Sequence, residues 1–343
     1  MNDELKFTVI SDTHYYSKKN FVDGFDKNKK PKPGQLFFSR SEEIVEHTFD
    51  CLCKNDTPDI VLISGDLTYN GERTSHDEMK AALKKLQQKG KRVYVITATH
   101  DYTTPRMPTY GIDKNDKYIE VESVNRTQLL KYYGDFGYNN AIAKHKSTMS
   151  YVAQLADGYR LFALNDDYGD PDCGFSDELM NWVKTEANNA KRDGQYIIAM
   201  THHPLVPPSP IYAAVAKGDM LNEYELRRNQ LSDLGFDFVL TGHTHMHNIS
   251  YCKIGNKKFY DISTAALTGF PPYYRQIVLN KEQKKAEIKT ICADCADSID
   301  TNGLALEEYT KDLFLGVVSK ALYDAEYDYD NFADFAVGMS ISK

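Results

Sequence analysis

Lys6-Phe7-Thr8-Val9-Ile10-Ser11-Asp12-Thr13-His14 opens as a short apolar, β-branched run and closes on two side chains able to bind a divalent cation. The run has the length and composition of a buried strand. The same pattern recurs four times. Residues 59–64 (DIVLIS) lead into Gly65-Asp66, and residues 92–98 (RVYVITA) lead into Thr99-His100-Asp101. Residues 196–200 (YIIAM) lead into Thr201-His202-His203-Pro204, and residues 236–240 (FDFVL) into Thr241-Gly242-His243-Thr244-His245. Seven of the ten histidines lie in or beside these fragments, a concentration that chance placement would not give. Strand ends are where open α/β sheets build their sites.

The intervening sequence indicates how the strands are joined. Met79, Leu83 and Leu86 fall at i, i+4 and i+7 in a charged segment that stops at Gly90, the pattern of an amphipathic helix. Ser39 or Ser41 opens a similar helix carrying Ile44, Val45 and Phe49. Strand, helix, strand implies parallel pairing. Residues 149–155 and 159–165 flank Ala156-Asp157-Gly158, a hairpin signal, and a helix follows over 177–191 with Leu179, Val183 and Ala187 one turn apart. Residues 249–254, 258–262, 275–279 and 286–291 read as a final antiparallel group. The fold class is therefore α/β, with two packed mixed sheets and helices outside. Residues 1–293 form the main domain, and 294–343 read as an acidic helical extension ending in 327–335. The tyrosine-rich, poorly periodic stretch 102–148 reads as an excursion over the site, and Lys27, Lys29, Lys30 and Lys32 as a solvated surface loop.

Composition narrows the function. A formal charge of −8 over 343 residues disfavours general nucleic-acid binding or attachment to an anionic membrane, since neither polyanion would meet a broad basic face. No run approaches the roughly 20 apolar residues of a membrane span, and residues 1–7 lack the apolar core of a signal peptide. A cytoplasmic chain is expected; an exported one that had lost its leader would look the same. Cys51-x-Cys53 and Cys292-x-x-Cys295 have no second pair to complete a zinc site, and reduced thiols are expected. The Asn-x-Ser/Thr matches at Asn125 and Asn248 carry no weight without a secretory context. A serine or cysteine hydrolase is excluded, because no Gly-x-Ser-x-Gly elbow occurs and no cysteine lies beside a histidine fragment.

Carboxylate, imidazole and neutral oxygen donors together suit Zn, Mn or Fe better than Ca or Mg. In an extended segment the side chains of Asp12 and His14 would face one way, as would those of His243 and His245. The ordered series Asp12-Thr13-His14, Gly65-Asp66-Leu67-Thr68-Tyr69-Asn70-Gly71, Ala98-Thr99-His100-Asp101, Thr201-His202-His203-Pro204 and Gly242-His243-Thr244-His245 resembles the motifs of the calcineurin-like metallophosphoesterases, over about residues 6–262. The resemblance implies a four-layer α/β/β/α sandwich with two divalent metal ions, Mn, Fe or Zn, at one edge. It implies Asp12, His14, Asp66 and His245 on the first ion and Asp66, Thr99, His202 and His243 on the second, with Asp66 bridging. His100 would face the substrate as general acid or oxyanion stabiliser, with Asp101 able to orient it. The implied reaction is hydrolysis of a small phosphomonoester or phosphodiester by a hydroxide shared between the ions.

One position departs from that series: Thr99 stands where the family has asparagine, and a hydroxyl is a shorter and poorer donor than an amide oxygen. The alternative is a scaffold or binding protein of this fold with an impaired second metal site. Gly65-Asp66-x-x-Tyr69 also resembles the purple acid phosphatases, whose tyrosine binds ferric iron. Those enzymes lack a counterpart of His14, so Tyr69 is expected in packing. His203 and His247 are expected beside the ligands or at the surface; His47, His76 and His145 have no motif context. Tyr15, Tyr16, Tyr102 and Arg106 are open to substrate contact or to packing alone.

Overall fold

The computed structural model describes residues 4–54, 56–167, 173–209, 212, 216–294 and 299–324. The chain opens β1 (Glu4–Ile10), α1 (Ser41–Leu52), β2 (Ile60–Ser64), α2 (Arg73–Gln88), β3 (Arg92–Ile96), and both neighbouring strand pairs are parallel. Residues 102–148 hold two short strands, β4 (Gly111–Ile112) and β5 (Tyr118–Ile119), then α3 (Leu129–Tyr133) and β6 (Ala143–His145). The second half runs β7 (Ser150–Ala156), β8 (Tyr159–Ala163), α4 (Asp177–Arg192), β9 (Tyr196–Met200), α5 (Tyr224–Leu234), β10 (Phe238–Thr241), β11 (Asn248–Ile254), β12 (Lys257–Ser263), β13 (Tyr273–Asn280), β14 (Lys285–Cys292) and α6 (Leu306–Asp324).

Two mixed sheets result, one ordered β14-β13-β1-β2-β3 and the other β11-β12-β10-β9-β8-β7-β6. The strands at their centres are buried on both faces, which is why they read as unbroken apolar runs. Alternation still sorts the side chains. Ile60 and Leu62 join Phe7 and Val9 against Leu161, Ile198 and Leu240 between the sheets. Val61 and Ile63 point outward to Ile44, Phe49, Met79 and Leu83 of the helices. Val239 and Phe162 face Leu179, Val183 and Leu231 on the other flank. Three apolar interfaces thus separate four layers, α/β/β/α.

The last four strands do not form one antiparallel group. β11 and β12 are an antiparallel hairpin, but β12 runs parallel to β10 in the second sheet. β13 and β14 cross over to the first sheet, where β13 lies antiparallel to β1. Each pair has its own hairpin, and local sequence carries no signal for which sheet receives it. In α6, Leu306 is buried, Tyr309 lies against Phe37 and Phe314 stacks on Phe270, so the helix braces the outer face of the first sheet. The expected helical end at 327–335 lies outside the described residues. Among the described residues five cysteines are free, and no helix is long and apolar enough to cross a membrane.

Asp261 of β12 ties the second sheet to the segment after Pro204. Its carboxylate accepts from Leu205 N at 2.7 Å, Val206 N at 3.0 Å and Thr241 Oγ1 at 2.5 Å. Burial pushes this carboxyl up to about 6. An unfolded aspartate ionises near ~3.9, so between the two values the folded state binds the extra proton and stability falls as pH rises. Above about 6 the penalty is constant. Asp261→Asn is expected to remove this dependence: the difference in denaturation midpoint between variant and wild type should shift in favour of the variant from pH 4.5 to 7.5, and an unchanged difference would refute it. Leu240→Ala, emptying a fully buried position between the sheets, is expected to cost about 2–5 kcal/mol in a denaturant titration at constant m-value; a loss under about 1 kcal/mol would contradict the assigned packing.

Candidate metal centre

β1, β2, β9 and β10 end at one rim, and the loops that leave them are tied backbone to backbone. Asp12 N donates to Gly65 O at 3.1 Å, His14 N to Asp66 O at 3.0 Å and Gly242 N to His202 O at 3.0 Å. The donors converge, but not through extended alternation. Asp12, His14, Asp66, His243 and His245 have φ of 50°, 38°, 51°, 66° and 57°, all left-handed. Aspartate and histidine are among the few non-glycine residues enriched there, and such strain gathers at functional sites. Gly65 and Gly242 permit the approach: a Cβ on Gly65 would sit 2.7 Å from His202 Nδ1, and one on Gly242 would strike the side chains of Ser11 and Asp12.

Two donor sets form. Asp12, His14 and His245 bring one ligand atom each within 4.8 Å of one another, as do Asp66, His202 and His243. His14 Nε2 lies 3.7 Å from Asp12 Oδ1, 3.8 Å from Asp66 Oδ2 and 3.1 Å from His245 Nε2. His202 Nε2 is 3.1 Å from Asp66 Oδ2 and 3.9 Å from Asp12 Oδ1. The Asp66 carboxylate therefore faces both sets through Oδ2, while its Oδ1 accepts the His100 backbone N–H at 3.0 Å.

These residues fit metal ions by three measures. The His202 Nδ1–H is committed to Ser64 O at 2.8 Å, which leaves the buried Nε2, 3.1 Å from Asp66 Oδ2, to hold a proton against that carboxylate or to ligate an ion in the proton's place. Burial by itself would raise both carboxyls, yet the imidazoles, His202 foremost, hold Asp12 and Asp66 well below the usual range, so both are ionised. Burial lowers His14 to about 4 and holds His243 well below the imidazole range, so these stay neutral donors. Burial opposes charge on His202 too, but Asp66, Asp12 and Asp166 push it well above its ordinary value. Buried negative charge of this kind calls for a cation.

His100 stands beside the pair, its ligand atom also within 4.8 Å of those of His14 and Asp66. The Nδ1 of His100 is 2.7 Å from Tyr69 O and 2.8 Å from Asn70 Oδ1, two acceptors that fix the proton on that nitrogen. Asp101 does not orient the ring. Its oxygens accept from Ala98 N and Thr68 N, both at 2.9 Å, so it shapes the loop instead. Thr99 is half-buried and, with His100, His203 and His243, lines a cleft of about 300 Å³ that also presents Lys217 and Asn222.

Tyr69 packs among Phe38, Tyr16 and Tyr110, its ring 6.3 Å from that of His14 and outside the donor sets. Tyr15 and Tyr16 are buried, Tyr102 donates to Asp167 O at 3.4 Å, and Arg106 is exposed. His203 is not at the surface: its ring lies 3.9 Å from that of His243. His247 is buried against Thr290 and Tyr273. His76, without motif context, bonds Tyr133 Oη at 2.6 Å and Asp101 O at 3.0 Å, joining α2 to the loop of His100.

Sequence reading missed Asp166, which receives Thr201 Oγ1 at 2.7 Å, His202 N at 3.1 Å and His203 N at 2.7 Å and lies 3.2 Å from His203 Nδ1. Its signal was available: an apolar strand, β8, followed by Asn165-Asp166-Asp167. Asn70 was missed as well, since nothing local ties it to His100.

The family model for calcineurin-like phosphoesterases matches residues 5–247. Among solved structures, a dimetal phosphatase from Danio rerio superposes with a TM-score of 0.54 at 12% identity, covering 84% of this chain and 99% of that one. The NAD nucleotidase of Haemophilus influenzae gives a TM-score of 0.43 at 15% identity over 96% and 60% of the two chains. At such identity the first likeness shows the fold alone. No curated protein matches by sequence. The matched span holds all five motif loops, and the chain belongs to the calcineurin-like phosphoesterases, hydrolases that act on phosphoesters with a dinuclear metal site.

Proposed function

We propose that the chain hydrolyses a small phosphomonoester or phosphodiester, with Asp12, His14 and His245 on one ion, His202, His243 and Thr99 on the other, and Asp66 shared. The observation that carries this reading is the placement of the Asp66 carboxylate between two donor sets, within 3.8 Å of His14 Nε2 on one side and 3.1 Å of His202 Nε2 on the other. Mixed nitrogen and oxygen donors favour Mn, Fe or Zn. When bound, such a pair supplies Lewis acidity toward the phosphoryl oxygens and activates the attacking water. The chain's own part is positional. Asp66 fixes the loop of His100 through the backbone, and Tyr69 O with Asn70 Oδ1 holds the His100 Nδ1 proton. Nε2 is thereby left to carry a proton to the leaving oxygen. On this reading residues 1–293 are the catalytic body and 294–343 an extension.

Chelation is expected to abolish hydrolysis of nitrophenyl and bis-nitrophenyl phosphate, and Mn²⁺ to restore it; activity that persists in a chelated, metal-free sample would sink the proposal. His100→Ala should retain its metal and lower kcat by roughly 10²–10⁴ on an alkyl phosphate. The loss should be smaller on nitrophenyl esters, whose leaving group needs no proton, and equal losses on both would remove the general-acid role. Thr99→Asn should tighten the weaker metal and raise the rate at limiting Mn²⁺, read by metal titration; no gain in affinity would show that Thr99 does not face that ion.

A further inference from the structure

The lysine-rich loop that reads as a bland surface feature in the sequence borders a cavity of about 230 Å³ beside the centre. Its lining includes the half-buried rings of Phe38, Tyr69 and Tyr110. Phe38 and Tyr69 lie 5.1 Å apart at 30°, and Tyr110 faces Tyr69 edge-on at 6.3 Å. Tyr69 belongs to both places. Its ring borders the cavity and approaches His14, while its carbonyl holds the His100 imidazole. Lys29, Lys30, Lys32 and Lys114 line the cavity too, beside Asp26 and Asp113. Lys29 and Lys32 share Asp116, at 2.5 and 3.3 Å, and among the described residues Lys30 and Lys114 have no ion pair.

We infer that this cavity receives the organic part of the substrate, and that this part is a flat aromatic ring on an anionic phosphoester. The inference rests on the phosphoesterase reading above. The volume is several times the ~30 Å³ share of one water, which suits one ring system. Aromatic faces bind planar rings by stacking, and the lysines offset the negative charge that such an ester brings to a chain of net charge −8. With phosphate at the centre, the leaving group extends across Tyr69 into the aromatic recess, away from the polar cleft of Thr99 and His243. A nucleobase and a simple aryl group share this chemistry.

The test compares 1-naphthyl phosphate, adenosine 5′-monophosphate and glycerol 3-phosphate as substrates of the Mn²⁺-loaded protein. Binding of the non-hydrolysable 1-naphthylmethylphosphonate and propylphosphonate is measured separately by calorimetry. At least one ring-bearing substrate should exceed glycerol phosphate in kcat/KM by tenfold or more, and which one does so separates base from aryl. The naphthyl phosphonate should bind about tenfold tighter than the propyl one. Phe38→Ala should shrink both ratios at least fivefold with metal content and thermal midpoint retained, and Lys30→Glu should weaken the anionic ring compounds without loss of fold. Equal kcat/KM for ring and glycerol esters, or ratios unmoved in Phe38→Ala, would overturn the inference. If no ester is hydrolysed, the phosphoesterase reading fails, and the phosphonate pair still decides the cavity: a ring preference lost in Phe38→Ala supports it, and equal binding ends it.

Discussion

Two buried, ionised carboxylates facing a ring of imidazoles impose the central constraint on this molecule. Asp12 and Asp66 are buried and, among the described residues, have no lysine or arginine ion pair, so their charge must be met by imidazoles or by cations. Desolvation makes an isolated buried charge prohibitive. The surroundings answer with donors rather than with apolar cover: the His243 N–H turns to Asp12 at 3.1–3.2 Å and the His100 N–H to Asp66 at 3.0 Å. A fold that only needed stability would place apolar residues at these strand ends.

Left-handed backbone at five donor positions follows from the same constraint. A strand leaving a doubly covered sheet carries its side chains alternately into two apolar layers, and neither direction reaches a common point at the rim. Turning sharply at Asp12, Asp66 and His243 frees these side chains from the alternation. The sheets supply the rigidity that holds the strained turns, and the backbone bonds between the β1, β2, β9 and β10 loops lock them to one another. Around this rim the chain adds parts of its own. Asp166 secures the His202 and His203 backbone, Asn70 and Tyr69 secure His100, and the 21–40 segment with Tyr110 builds an aromatic recess on the His14 side.

How much of this was legible differs by element. The strands and helices near the motifs could be read because burial on both faces leaves long β-branched runs, and one-sided helices leave i, i+4 spacing. The donors could be read because imidazole and carboxylate at strand ends are chemically conspicuous. Asp101 misled, since a carboxylate next to His100 in sequence points into the turn and caps Ala98 and Thr68. The final strands misled as well, because a hairpin signal specifies pairing within the hairpin and says nothing of the sheet it joins. His203 was left between a place beside the ligands and one at the surface, and only packing against the His243 ring decides for the first.

The sequence by itself determined which chemistry is possible here: its order of apolar runs set the α/β architecture, and its aspartates and histidines set the kind of ion that could bind. Only the tertiary structure decided that Asp66 lies between two donor sets, that Asn70 rather than Asp101 meets the His100 ring, and that the lysine loop between the first two motifs lines an aromatic cavity beside His14. Residue types are local and can be read singly, whereas convergence depends on turn dihedrals and sheet order, which are fixed by packing between segments far apart in the chain.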